Sequence, residues 1–205
     1  MDSSRLIPWL LVVALGWSGW HWLASRPQHW PPGVVAPDEP LQRELETDDA
    51  RPRRRASFTA TPRARLAAAV RVLSKEGYRV DPLAAAVPFD LAVGWGPMSD
   101  SAVIARLDIS QSARFYSWRH AGAPPLPDRE INRHSANWHV VPGNADVKRA
   151  LARVRVGDIV ELEGLLVDLW RDDGGQARTS LRRDDTGAGA CEIIWVERLS
   201  VRYRD

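Results

Sequence analysis

The chain has 205 residues, with 28 basic and 26 acidic side chains and a formal net charge of +2. From Thr61 onward the counts are 21 basic and 19 acidic, so the positive surplus is small and the surface is mixed in sign. Such a balance argues against a dedicated nucleic-acid binder, which needs a continuous basic surface. Cys191 is the only cysteine, which excludes an intramolecular disulfide. The length fits one domain with appendages.

Residues 6–24, LIPWLLVVALGWSGWHWLA, form an apolar segment that follows a short head, residues 1–5. As a helix this segment spans about 28 Å, close to the hydrocarbon core of a bilayer. Tryptophans cluster at its C-terminal end, where amphipathic rings lie among lipid headgroups. We therefore expect an uncleaved transmembrane anchor. The alternative is a cleaved signal peptide, but cleavage after Ala24 would place the bulky Trp22 at the −3 position.

The short head favours an N-terminus in the cytoplasm, which predicts a single-pass protein of the bacterial inner membrane with its C-terminal domain in the periplasm. Residues 25–60 contain six prolines among charged residues and scarcely an apolar pair. This composition predicts a disordered linker. A single β-rich globular domain is expected over residues 61–205.

Three helices are predicted in this domain. Leu66, Val70 and Leu73 recur at helical spacing after Thr61-Pro62, which predicts a helix over residues 62–76. Ser99 or Asp100 is expected to cap a shorter helix, and Asn144 is expected to cap a third. The last two predictions depend on side-chain oxygens that accept hydrogen bonds from the first turn of the helix.

Aromatic and β-branched runs predict strands over residues 89–93, 109–118 and 138–141. In the segment 159–170 the apolar alternation changes phase at Gly164, which predicts a bulge or sharp bend there. A hairpin turn is expected at residues 172–175. The final strand, over residues 191–201, is apolar on both faces at residues 193–196 and is therefore expected to be central.

Long bent strands with few helices predict an α+β fold that is mainly β. By analogy, the expected architecture is a small OB-like, partly open β-barrel with peripheral helices, preceded by one N-terminal transmembrane helix. The alternative is an unclassified α+β sheet.

Five unusual stretches are GWGPMSD (residues 94–100), ISQS (109–112), FYSWR (115–119), HSANWH (134–139) and DTGAGACE (185–192). In this order they resemble a family of membrane-anchored proteobacterial proteins with no established activity. The resemblance covers about residues 78–198. It implies a membrane location and the extent of the domain, and it implies no catalytic residue.

His134 and His139 invite a metal hypothesis. Their spacing of five differs from the i, i+4 pair of helical metal motifs and places them on opposite faces of a strand. A loop could bring them together with Asp100, Asp184 or Glu192 as a third ligand. We nevertheless expect no metal and no cofactor.

Cys191 is a candidate catalytic nucleophile with His134 or His139 as its base. At the start of an apolar strand, a lone cysteine is more often a small buried hydrophobic residue. The TGAGA loop beside Arg182 and Arg183 could cradle an anion, but it precedes a strand rather than a helix, which favours a plain turn.

Arg114, Tyr116 and Trp118 share one face of the strand predicted over residues 109–118, and an arginine among aromatic rings suits recognition by stacking. The alternative is that the two rings belong to the core. The expected ligand-binding residues are Trp95, Asp100, Arg114, Tyr116, Trp118, His134, Asn137 and His139.

The first functional hypothesis is a non-catalytic, membrane-tethered binding or scaffolding module whose partner is an envelope protein or a polymer. The second is an envelope hydrolase that uses His134 or His139 with Cys191 or an acidic partner. The third, single-stranded nucleic-acid binding, is disfavoured by the small net charge. Convergence of the histidine, cysteine and acidic side chains in one cleft would favour the enzyme.

Overall fold

The computed structural model describes residues 26–182 and 190–202. The anchor expected at residues 6–24 lies outside these ranges. Within them, no helix has the length and apolar character that a membrane crossing requires. The domain is mainly β, with 45% strand and 14% helix, which confirms the predicted α+β, mainly β class.

Ten strands and three helices are described. The strands are β1 (Leu41–Arg43), β2 (Arg53–Arg55), β3 (Phe58–Gly77), β4 (Phe89–Gly94), β5 (Asp108–Ser112), β6 (Phe115–Arg119), β7 (Ser135–Pro142), β8 (Ile159–Arg171), β9 (Gln176–Ala177) and β10 (Glu192–Arg202). The helices are α1 (Ser101–Ile104), α2 (Asp128–Arg133) and α3 (Ala145–Arg153), and a 3₁₀ turn covers Gly96–Ser99.

Five strands form a ring in the order β3, β4, β7, β10, β8, closed by the pairing of β8 with β3. All neighbours are antiparallel except β7 and β10, which are parallel. The central position of β10 between β7 and β8 confirms the sequence prediction. The short strands β1 and β2 pair with β3, and β9 pairs with β8.

The helix predicted over residues 62–76 is wrong, because these residues lie in the twenty-residue strand β3. The apolar positions also alternate with a period of two, and Ala64, Leu66 and Val70 all point into the core. Pairing with both β4 and β8 outweighs the helix propensity of the alanine- and arginine-rich sequence. Pro62 has no backbone N–H to donate to β8. It is tolerated because the register between β3 and β8 shifts beside it.

The long strands serve two apolar clusters in succession. On β8, Val160, Leu162 and Leu166 enter the main core, whereas Leu165 and Val167 enter a second cluster on the opposite face. The change of phase at Gly164 therefore marks the point on β8 beyond which residues of the opposite face are also apolar and enter the second cluster. The predicted bulge lies on the partner strand β10, between Val196 and Arg198.

Gly164 also allows β8 and β10 to approach each other closely, as a glycine inside a strand suggests. A Cβ atom placed there would lie 2.1 Å from the Trp195 carbonyl oxygen. No side chain fits at that distance, so this position requires glycine.

The connection between β4 and β7 folds back over the ring. Its strands β5 and β6 form a separate hairpin, and the turn at Ala113 and Arg114 has positive φ at both residues. The sequence predicted one strand over residues 109–118, so this turn is a correction. The expected caps are confirmed: the Asp100 side chain accepts from Ala102 N at the start of α1, and Asn144 accepts from Val147 N at the start of α3.

The segment before β3 differs from the disordered linker predicted over residues 25–60. Residues 28–36, here called the strap, lie along the domain through backbone and side-chain hydrogen bonds, and Ala36 is buried. Composition predicted disorder because the strap contributes few apolar side chains. Its order comes instead from hydrogen bonds to the domain, which composition does not reveal.

Candidate active site

A polar cluster lies on the outer face of the ring where β4 and β7 pair. Asp90 of β4 is directly opposite His139 of β7, and Asn137 precedes His139 by two residues on the same face. The intervening Trp138 points the other way, into the main core. Cys191 immediately precedes β10, the parallel neighbour of β7. Strand alternation therefore separates the polar groups from the core beneath them.

Asp90, His139 and Cys191 form a contiguous chain of interacting groups. His139 Nδ1 lies 3.0 Å from Asp90 Oδ1, as an ion pair rather than a well-aligned hydrogen bond. The Cys191 side chain lies near enough to the same imidazole to raise its pKa. Asp90 is completely buried, and Cys191 is partly exposed. A thiol, an imidazole and a buried carboxylate are thus brought together.

Arg114 reaches this carboxylate from the β5–β6 turn. Its Nη1 lies 2.7 Å from Asp90 Oδ1, the oxygen that also contacts His139. Its Nη2 binds both carboxylate oxygens of Asp81, at 2.9 and 2.8 Å, and the Val87 carbonyl oxygen. The guanidinium stacks 3.8 Å from the centroid of the Tyr78 ring. Arg114 is therefore held rigidly between two acidic residues and an aromatic face.

Asn137 connects the hairpin with the thiol. Its Nδ2 donates to the Arg114 carbonyl oxygen at 2.8 Å and lies 3.7 Å from Cys191 Sγ. Its Oδ1 accepts from Gln111 Nε2 at 2.7 Å, which fixes the orientation of the amide. An amide N–H₂ group is thereby held beside the sulfur. We call Asp90, Arg114, Asn137, His139 and Cys191 the thiol site.

The pKa of His139 reflects opposing effects. Burial lowers it, but the contacts with Asp90 and Cys191 together outweigh burial and raise the pKa to about 9. The imidazole therefore holds a proton at neutral pH when the carboxylate and the sulfur face it.

Buried polar atoms without a hydrogen-bond partner among the described residues concentrate here. They include Asp90 Oδ2, Gln111 Oε1, Arg114 Nε and His139 Nδ1. Buried polar atoms in proteins nearly always have a hydrogen-bond partner, and those without one point to a catalytic role or to a bound water or ion. The thiol site therefore has unused capacity for polar contacts.

His134 lies apart from the thiol site. It follows α2 at the start of β7, where Nδ1 lies 2.8 Å from the Glu130 carbonyl oxygen and the ring packs against Trp95 and Gly96. The two candidate histidines thus have separate environments, and only His139 meets Cys191.

Two other residues expected to bind ligand have structural contacts instead. Trp95 is buried in the main core. Asp100 Oδ1 accepts from Gly33 N and from Ala102 N, both at 2.8 Å, so it holds the strap and caps α1. Neither side chain reaches the thiol site through a described contact.

Tyr116 and Trp118 face inward from the hairpin, beside an apolar cluster around Met98 and Ile131. The Tyr116 hydroxyl donates to Ser135 Oγ, and burial raises the pKa of Tyr116 to about 12. Trp118 Nε1 donates to Asn132 Oδ1. Of the face expected to bind by stacking, only Arg114 belongs to the polar cluster.

The described residues contain no group of three His, Cys, Asp or Glu side chains arranged to hold a metal ion. Glu192 is buried next to Cys191, whereas Asp184 and residues 186–189 of the TGAGA loop lie outside the described residues.

Sequence reasoning missed Asp90, Asp81, Tyr78 and Gln111. One signal was present for Asp90: a carboxylate inside the apolar run FDLAVG must be buried, and a buried carboxylate requires a partner. Nothing local indicated Asp81 or Tyr78, because they meet Arg114 only through the folding of the hairpin over β4.

No family model matches this chain, and no curated protein or solved structure is significantly similar to it.

Proposed function

We propose that this chain is a membrane-tethered, periplasmic thiol hydrolase in which Cys191 is the nucleophile, His139 the acid–base and Asp90 the residue that orients the imidazole. The observation that carries the proposal is the convergence of these three side chains beside a partly exposed sulfur. Convergence of such groups is the feature that separates an enzyme from a binding module with scattered polar residues.

The proposed reaction is acyl transfer through a covalent intermediate. The reactive form is the one in which His139 has released its own proton to solvent. The Cys191 thiol then loses its proton to the neutral imidazole, and the thiolate attacks a carbonyl carbon of an ester, amide or thioester. As the tetrahedral intermediate collapses, the leaving group takes the proton from His139. Water then attacks the Cys191 thioester with His139 as base, which releases the acid and restores the thiol.

The residues around the sulfur suit this chemistry. Asn137 Nδ2, 3.7 Å from Sγ, can donate a hydrogen bond to the oxyanion that develops next to the sulfur. Gln111 holds the amide in place, so this donor is oriented before substrate arrives. Asp90 balances the positive charge of the imidazolium that accompanies a thiolate.

We further propose that the ring is an OB-like barrel. If the five ring strands are numbered in chain order, their order around the ring is first, second, third, fifth and fourth. The helix α3 connects the third with the fourth. OB folds bind ligands on the face of their second and third strands. Here those strands are β4 and β7, which carry Asp90, Asn137 and His139.

The test is acylation of the full chain, reconstituted in nanodiscs, by p-nitrophenyl acetate. We expect a burst of one nitrophenolate per chain and a mass increase of one acetyl group on Cys191. His139→Gln should slow acylation about 10²–10⁴-fold, the range for loss of a general base. Cys191→Ala should abolish the burst.

His134→Gln is the matched control, because His134 lies five residues away and outside the thiol site. It should acylate at the wild-type rate. A sulfur that reacts no faster than a free thiol, or an equal rate in His139→Gln, would refute the enzyme.

A binding or scaffolding module is the second candidate, supported by a groove of about 850 Å³ lined by α3, β8 and β10. In its wall Glu161, Glu163 and Glu197 pair with arginines of the domain, and Asp38 and Glu39 add further carboxylates, so it would suit a basic segment of an envelope protein. A photo-crosslinker at position 150 tests this candidate in the native membrane. A protein that the wild type captures and that Glu161→Lys no longer captures would support it.

Single-stranded nucleic-acid binding receives less support. The aromatic rings that would stack on bases, Tyr116 and Trp118, bind Ser135 and Asn132 inside the protein.

A further inference from the structure

The strap is fastened to the domain from its first residues. Gln28 N donates to the Val156 carbonyl oxygen at 2.8 Å, and Trp30 Nε1 donates to the Gly157 carbonyl oxygen at 2.7 Å. The contact is close, because a Cβ atom on Gly157 would lie 1.9 Å from the Gln28 carbonyl oxygen. The loop between α3 and β8 is therefore the part of the domain nearest to the apolar segment in the chain.

The chain between the apolar segment and this contact is short. Four residue steps separate Ala24 from Gln28, which span at most about 14 Å even when fully extended. The headgroup region of one leaflet is about 5–7 Å thick. If residues 6–24 cross the membrane, Gln28 lies no more than about 7–9 Å above the outer edge of the headgroups, and Val156 is hydrogen-bonded to it.

The surface beside this contact is basic with one exposed apolar residue. Arg26 and Arg153 are exposed, Arg155 is partly exposed, and Val156 is 38% exposed. The nearby carboxylates are occupied within the protein: Asp158 is buried and pairs with Arg155, and Asp100 accepts from Gly33. Because that pair neutralises Arg155, Arg26 and Arg153 are the exposed basic residues of this surface. We call Arg26, Trp30, Arg153, Arg155 and Val156 the membrane-proximal face.

We propose that this face rests on the bilayer and binds anionic lipid headgroups, so that the domain has one fixed orientation on the membrane. The inference rests on the proposed anchoring by residues 6–24 and is independent of the thiol chemistry. Basic side chains next to a membrane anchor gain from the negative surface potential of anionic lipid, and the partly exposed valine adds apolar contact at the interface.

The experiment places a bimane fluorophore on a single cysteine in the Cys191→Ser full chain. Position 156 (Val156→Cys) reports on the face, and position 176 (Gln176→Cys) is the matched control. Gln176 is exposed and pairs with Trp170 near the far end of β8. Eleven residue steps separate Trp170 from Ile159, which corresponds to about 36 Å along a strand.

Both chains are reconstituted in vesicles that carry a nitroxide quencher on the headgroup. In equal parts phosphatidylglycerol and phosphatidylcholine, we expect strong quenching at position 156 and little at position 176. Arg153→Gln should reduce the docked fraction about fivefold, the change expected for one basic residue near an anionic surface. Pure phosphatidylcholine should reduce it further.

Flotation of the vesicles distinguishes failure of the membrane-proximal face from failure of the anchor. Equal quenching at positions 156 and 176 in chains that float would overturn the membrane-proximal face and leave the anchor intact. Chains that do not float would overturn the anchor itself, and the face with it. Equal quenching in both lipids, with position 156 still favoured, would refute the anionic preference.

Discussion

Two polar clusters lie near the strand β4. One is the thiol site, whose Asp90 is on β4, and the other, here called the clasp, consists of Gly96, Ser99 and Asp100 just after its end. In the clasp, Ser99 Oγ accepts from Val35 N and Ala36 N and donates to the Gly96 carbonyl oxygen. In the thiol site, Arg114 and His139 share one carboxylate oxygen, and several buried atoms have no hydrogen-bond partner. A satisfied network holds chain segments together, whereas an unsatisfied one indicates a site that acts on something else.

The two histidines of the HSANWH stretch illustrate the same contrast. His134 packs against Trp95 and Gly96 next to the clasp, and His139 belongs to the thiol site. The two histidines are only five residues apart in the chain, yet one packs against an aromatic ring and a glycine and the other contacts a buried carboxylate. An unusual motif can thus contain residues of both kinds.

The largest expected effect is that of Arg114→Met. This change removes the guanidinium that pairs with the fully buried Asp90 and with Asp81. Breaking a buried pair leaves an uncompensated charge, so we expect a loss of about 3–5 kcal/mol in the free energy of unfolding. Urea denaturation measures it.

The control for Arg114→Met is Arg54→Met, which removes an exposed bidentate pair with Asp172. Exposed pairs contribute little because water screens them, so this variant should unfold close to the wild type. Equal losses in the two variants would mean that Arg114 is no more important to stability than a surface arginine.

The next effect concerns pH. The folded-state pKa of His139 is about 9, whereas an unfolded histidine titrates near 6.5. The folded protein then holds a proton that the unfolded chain has lost, so this contribution to stability is complete below pH 6.5 and disappears as pH rises through 9. Between pH 6.5 and 8 we expect a loss of about 1–2 kcal/mol.

Thermal or urea unfolding across this pH range, compared between the wild type and His139→Gln, isolates the histidine. The loss should vanish in His139→Gln and persist in His134→Gln. Above pH 8 the half-buried Lys75 acts in the opposite direction, because its burial lowers its pKa to about 8. A wild-type stability that is flat from pH 6.5 to 8 would contradict the proposed proton on His139.

Local signals predicted much of the fold. The caps at Asp100 and Asn144 and the apolar faces of β10 are visible in the sequence because each depends on neighbouring residues. The strand β3 was missed because alanine and arginine favour a helix locally and only pairing with β4 and β8 selects the strand. The strap was missed because its contacts are hydrogen bonds to distant residues.

The site could be predicted only in part. Cys191 and His139 were candidates by residue type, but His134 was equally eligible, and choosing between them required the register of β7 against β4. Asp90 becomes its partner through that same register. The position of Arg114 depends on a turn with two positive φ angles at Ala113 and Arg114, which has no glycine to reveal it.

The smallest expected effect tests the clasp through Asp100. Asp100→Ala removes the acceptor for Gly33 N and Ala102 N and should cost about 1 kcal/mol, whereas Asp100→Asn keeps an acceptor and should cost a few tenths. Hydrogen exchange should accelerate at Gly33 and Ala102 in the alanine variant alone, while the acylation rate of Cys191 stays unchanged in both. The clasp follows the end of β4 and makes no described contact with the thiol site. A slower Cys191 in Asp100→Ala would therefore mean that the two clusters are coupled and that the contrast between them is wrong.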